Sequence, residues 1–117
     1  MKILVLDDNK ELLEVVANIL VNHNYDVDCA ENAQDAITML RNKHYDFVLV
    51  DYKMPKNDGV WFMNNAELSP DTKVLLVTAH ADKSMISKMF ALGVSGYIVK
   101  PFDEEDLLRH LSYYSGK

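Results

Sequence analysis

Short apolar runs and helical stripes alternate five times along the chain. The strand-like runs cover residues 3–6, 25–29, 47–50, 74–77 and 97–99. The first, third and fourth are almost wholly apolar, the pattern of strands buried on both faces of a parallel sheet. The second, "YDVDC", alternates as a half-exposed edge strand does. Between the runs, Leu12, Val16, Ile19 and Leu20 follow the i, i+4, i+7, i+8 spacing of one helix face. Asn32 reads as an N-cap, with Asp35 three residues on, ahead of an Ala33, Ala36, Ile37, Leu40 stripe. A third, weaker helix spans 59–67 after the Asn57-Asp58-Gly59 turn and ends at Ser69-Pro70. The fourth carries Ile86, Met89 and Phe90 and stops at Gly93, where a helix C-terminal glycine belongs. The fifth starts after Asp103 and buries Leu107, Leu108 and Leu111.

Five βα units joined by short loops imply right-handed crossovers and helices on both faces of the sheet. The expected fold is α/β: a doubly wound, five-stranded parallel sheet in flavodoxin-like order 2-1-3-4-5, a three-layer sandwich with five helices. With 117 residues the chain makes one domain, 1–117. It reads either as a whole protein or as the N-terminal domain of a longer one.

Composition narrows the function. Twelve basic against 18 acidic residues leave a net charge of −6, with no basic run, so direct binding to nucleic acid is not expected. No apolar run approaches the roughly 20 residues of a membrane helix, and "MKILVLDDN" is too soon acidic for a signal peptide. The single cysteine, Cys29, cannot form an internal disulfide; it reads as a small buried apolar residue in a reducing cytoplasm.

Ligands of such sheets sit outside the carboxyl ends of the strands. Asp7 and Asp8 follow the first run, Asp51 the third, Thr78 the fourth and Lys100-Pro101 the fifth. Taken alone, the acid pair reads as a turn and helix cap, Thr78 as a cap, and Lys100 as a solvated strand terminator. Together they put three acids, a hydroxyl and an amine in one crevice. At an effective dielectric near 20 and about 5 Å, each carboxylate pair repels by on the order of 3 kcal/mol, so a cation is wanted. All-oxygen ligands favour Mg²⁺, or Mn²⁺ in its place. Asp51, ending the central strand, is the expected nucleophile for phosphoryl transfer, giving an aspartyl phosphate. Asp8 is expected to bind the metal directly, Asp7 to act through water or to orient the others, and the Lys53 backbone carbonyl to complete the shell. Lys100 and Thr78 would neutralise and hydrogen-bond the phosphoryl oxygens.

"LDDN", "FVLVDYKMPKNDG", "LLVTAHAD" and "GYIVKPFD", in this order and at these separations, resemble the receiver domain of two-component response regulators, single-domain chemotaxis regulators included. The resemblance spans essentially the whole chain. It implies a bacterial histidine kinase or phosphotransfer protein as phosphodonor, a Mg²⁺ requirement, phosphate contact by Lys100 and a cis Lys100-Pro101 bond. It also implies a switch in which the Thr78 hydroxyl moves toward the phosphate and Tyr97 turns inward. The face of the fourth helix, fifth strand and fifth helix then changes to control an output domain or partner. Lys53 and His80, two residues beyond Asp51 and Thr78, would tune hydrolysis. Gly93-Val94-Ser95-Gly96-Tyr97 lacks the acidic pair of regulators that dimerise through ion pairs, so that symmetric dimer is not expected. His23, His44 and His110 read as surface residues, Met54, Met63, Met85 and Met89 as packing, and Trp61 has no site role.

Three other functions compete. An aspartate-nucleophile phosphatase wants a second acid two residues after Asp51, where Lys53 stands. A flavodoxin wants a glycine- and hydroxyl-rich loop after the first strand, where "LDDNKE" would repel the phosphate. A pseudo-receiver acting as an unphosphorylated scaffold would not need the complete set Asp7, Asp8, Asp51, Thr78 and Lys100.

Overall fold

The three apolar runs lie side by side. A computed structural model describes residues 1–80 and 82–115, so Ala81 of "LLVTAHAD" and the last two residues lie outside the described residues. In chain order the elements are β1 (Lys2–Leu6), α1 (Lys10–Asn22), β2 (Asp26–Ala30), α2 (Ala33–Asn42), β3 (Phe47–Asp51), α3 (Gly59–Asn65), β4 (Lys73–Thr78), α4 (Lys83–Ala91), β5 (Gly96–Val99) and α5 (Glu104–Tyr114). The sheet is parallel, in the order β2-β1-β3-β4-β5. The expected doubly wound α/β architecture is the observed one.

Strand alternation divides the core into two layers. Ile3, Val5, Phe47, Leu49, Leu75, Val77 and Ile98 pack with Leu13, Val16 and Leu20 of α1 and Leu107 and Leu111 of α5. Leu4, Leu6, Val48, Val50, Val74 and Leu76 face the other way, onto Ala33, Ala36 and Ile37 of α2, Phe62 and Met63 of α3, and Met89 of α4. Because both faces are covered, the central strands must be apolar between their ends, and they are, at residues 3–6, 47–50 and 74–77.

The helix ends follow from local chemistry. Asn32 accepts from the Asp35 amide, and Asp103 forms a capping box with Asp106. Gly93 sits at φ +109°, its amide on the Phe90 carbonyl and that of Val94 on Met89, a Schellman motif. Asn24 closes α1 in the same way at φ 69°.

Several expectations are corrected. Cys29 is exposed, because β2 is an edge strand with a neighbour on one side only. Partial burial and then the Asp28 charge still push its thiol pKa up, which weakens it as a nucleophile. Phe90 is 44% exposed and Ile86 only half-buried, leaving Met89 as the one buried anchor of α4. Leu13 joins the α1 stripe, where Leu12 and Ile19 lie at the margin. Leu108 is likewise partly buried in α5. The third helix stops at Asn65 because Ala66 turns extended. His23 and His44 are exposed, whereas His110 is half-buried with Nδ1 2.7 Å from the Asp106 carbonyl oxygen.

Candidate functional site

Each strand end delivers its side chain to one rim. Asp51 and Thr78 are the last residues of β3 and β4, buried to 7% and 5% exposure by the neighbouring ladders. The β1–α1 turn holds Asp7, 4% exposed, and the exposed Asp8. A carboxylate oxygen from each of Asp7, Asp8 and Asp51 lies within 4.8 Å of the others. Lys100 Nζ reaches across, 3.3 Å from Asp7 Oδ2 and 3.5 Å from Asp51 Oδ1. Its position is set by the Lys100 amide, which donates to the Thr78 carbonyl at 2.8 Å, and the Lys100-Pro101 bond is cis.

The electrostatics of this rim are those of an unsatisfied negative cluster. Burial, then Asp7, and last Asp8 push the Asp51 pKa above the ordinary carboxylate value. Lys100 and the Lys53 amide pull it back only in part. Three oxygens from three carboxylates, one of them exposed to solvent, form a hard, all-oxygen donor set of the kind Mg²⁺ or Mn²⁺ takes, with room for water.

On the other side of Asp51 a cleft of about 450 Å³ is lined by Tyr52, Lys53, Thr78, His80, Asp82, Met85 and Lys100 among others. The Thr78 hydroxyl accepts from the His80 amide and donates to the His80 carbonyl, both at 3.1 Å. It is therefore engaged by the loop rather than by Asp51. Tyr97 does not line this cleft. It sits half-buried on β5, paired in register with Leu76, with its ring edge-on to Phe90 at 6.5 Å. The rim thus gathers Asp7, Asp8, Asp51, Lys53, Thr78, His80 and Lys100 and leaves Tyr97 outside.

One residue of the site escaped sequence reading. Asn9 is the cap of α1, accepting from the amides of Glu11 and Leu12, and its own amide donates to Asp7 Oδ1 at 2.9 Å. Asn9 therefore takes the cap position of α1 in place of Asp7 or Asp8, and the two acids stand at the rim. The signal was present in "LDDN", since Asn is among the strongest N-cap residues.

A doubly wound sheet with an acid triad and a bridging ammonium at its strand ends defines a class: a domain whose one crevice can hold a cation and an anionic group together. Relatives narrow the class. The chemotaxis protein CheY-3 of Vibrio cholerae is 34% identical over 115 residues, covering 95% of this chain and 88% of that protein. The solved structure of Vibrio cholerae CheY4 superposes with a TM-score of 0.91 at 26% identity, covering 96% of both chains. The transcriptional regulatory protein ResD of Bacillus subtilis is 32% identical over 107 residues, 92% of this chain but 45% of that longer protein. The chain belongs to the response regulator receiver domain family, whose model matches residues 3–112. It is a phosphorylation-based signalling module of two-component systems. Among the described residues, no helix is long and apolar enough to cross a membrane.

Proposed function

We propose that Asp51 is the phosphoacceptor and that Asp7, Asp8, Asp51 and the Lys53 carbonyl hold Mg²⁺, or Mn²⁺, beside it. The observation that carries this reading is the approach of three carboxylate oxygens within 4.8 Å, spanned by Lys100. Bound there, the dication offsets the charge of the acids and of the phosphoryl oxygens. An Asp51 oxygen attacks phosphorus in line; the O–P bond forms as the N–P bond of a partner's phosphohistidine breaks. The electron pair returns to the imidazole, which takes up a proton. Lys100 neutralises one phosphoryl oxygen, and the Thr78 hydroxyl leaves the His80 backbone to donate to another. Tyr97 then turns inward beside Phe90, changing the α4–β5–α5 face that an output domain or partner reads. Water returns the protein to its resting state by hydrolysing the acyl phosphate. Lys53 and His80, both on the cleft, set the pace of that step. The phosphodonor is a histidine kinase or phosphotransfer protein, and the setting is the bacterial cytoplasm. The domain acts either alone, as over most of the length of CheY-3, or at the head of a longer regulator.

Incubation with Mg²⁺ and acetyl phosphate tests the assignment. One acid-stable, base-labile phosphoryl group should appear by mass spectrometry, and none in Asp51→Ala. Phosphorylation of Asp51→Ala at the wild-type level, or rapid turnover of donor without a protein adduct, would overturn it. Lys53→Ala and His80→Ala should still be phosphorylated, with adduct half-lives changed several-fold.

A further inference from the structure

We propose that Asn9 is a positioning residue for the metal site, suited to the task by being both a helix cap and uncharged; this rests on the functional reading above. Asp7 is nearly fully buried, and both of its oxygens are engaged. Oδ1 receives the Asn9 amide at 2.9 Å, and Oδ2 lies 3.3 Å from Lys100 Nζ. The Asp7 amide is itself tied to the Ala30 carbonyl at 3.2 Å. The orientation of the carboxylate therefore depends on where the Asn9 amide points.

That amide is fixed by the Asn9 side chain. Its Oδ1 accepts from the Glu11 amide at 3.0 Å and the Leu12 amide at 3.2 Å, locking Asn9 in an extended conformation at the head of α1. Without an acceptor at this position, two amides of the first turn lose their partner and the turn frays. Asp7 then loses the donor that holds one oxygen, and the carboxylate can swing toward Lys100 and away from Asp8 and Asp51.

Neutrality is the second requirement. Aspartate caps helices as well as asparagine does, but here it would put a further negative charge on the residue whose backbone amide holds Asp7, next to a cluster of three carboxylates. The added charge would attract a dication while repelling an anionic phosphodonor. Serine keeps the acceptor without the charge. Alanine keeps neutrality without the acceptor.

Mg²⁺ titrations followed by amide NMR shifts at Asp7, Asp8 and Asp51 separate the two properties. Asn9→Ala should bind Mg²⁺ roughly three- to tenfold more weakly than wild type. Asn9→Ser should come back to within about twofold. Asn9→Asp should bind Mg²⁺ at least as tightly as wild type, yet be phosphorylated by acetyl phosphate several-fold more slowly at saturating Mg²⁺. The residue 9 amide should exchange with solvent faster in Asn9→Ala than in Asn9→Ser. A purely structural cap would lower the melting temperature of Asn9→Ala and leave its Mg²⁺ affinity unchanged; that result overturns the proposal. So does an Asn9→Asp variant phosphorylated at the wild-type rate. Wild-type protein that binds no Mg²⁺ would sink the functional reading itself, an outcome recognisable before any variant is made.

Discussion

Asp51 carries a conflict between folding and function that is measurable one residue at a time. In the phosphoacceptor role proposed for it, its carboxylate must be ionised to attack phosphorus, yet burial and the Asp7 charge push its pKa up from the ordinary value. A raised carboxylate pKa means that the folded state binds the proton more tightly than the unfolded chain does. The stabilising contribution is complete below the unfolded pKa near 3.8 and is lost as pH rises through the folded value. At pH 7 the ionised Asp51 is therefore a net cost to the apo fold. Asp51→Asn, which keeps the shape without the charge, should melt several degrees higher than wild type at pH 7 in the absence of divalent metal. The gap should close as the pH is lowered through the Asp51 titration. Scanning calorimetry from pH 3 to 7 in EDTA checks this. An Asp51→Asn melting point equal to or below wild type at pH 7 would show that Lys100 outweighs the acids.

At the scale of elements, helix ends and strand contacts differ in how far local sequence announces them. Asn32, Asp103 and Gly93 are caps whose signals lie within a few residues of one another, and all three were legible before any coordinates. So was the meeting of Asp7, Asp8, Asp51 and Lys100, because a parallel sheet maps "the residue after each apolar run" onto one rim. Cys29 and Phe90 were misread because their exposure depends on which neighbour is missing, a property of the assembled sheet. The Tyr97 position relative to the cleft was hidden for the same reason. Gly96 gave no signal either: a Cβ there would overlap the end of the Tyr114 side chain, which α5 folds back over β5. Gly96→Ala should lower stability by about 1–3 kcal/mol in urea denaturation. In a Tyr114→Ala background the same change should cost much less. Equal costs in both backgrounds would remove the ring from the explanation. Asn24, at φ 69°, offers the opposite test. Glycine suits that conformation better, so Asn24→Gly should gain up to about 1 kcal/mol, and Asn24→Ala should lose about as much.

The whole molecule is two apolar layers that clamp a sheet whose strand-end rim is electrostatically unfinished. Each pair of ionised carboxylates within 4.8 Å repels by on the order of 3 kcal/mol at an effective dielectric of 20. A dication that binds the folded rim and not the unfolded chain should therefore raise the melting point in step with its concentration. The expected gain is about 2.7 kcal/mol at a hundredfold excess over Kd, on the order of ten degrees for a domain of this size. EDTA should reverse it. Asp8→Asn should abolish most of the gain while leaving the apo protein folded, since Asp8 is exposed and outside both core layers. A gain that survives in Asp8→Asn would mean that the ion binds elsewhere. Beryllofluoride added with Mg²⁺ carries the test across the molecule. Trp61 is the chain's one indole and packs on α3 against the layer that also contains Met89 of α4 and borders Tyr97. If closing the rim repacks that layer, Trp61 emission should shift on adduct formation in wild type and stay fixed in Asp51→Ala. An adduct confirmed by mass with unchanged Trp61 emission would confine the rearrangement to β4, α4 and β5, and rule out α3 as a reporter of the phosphorylated state.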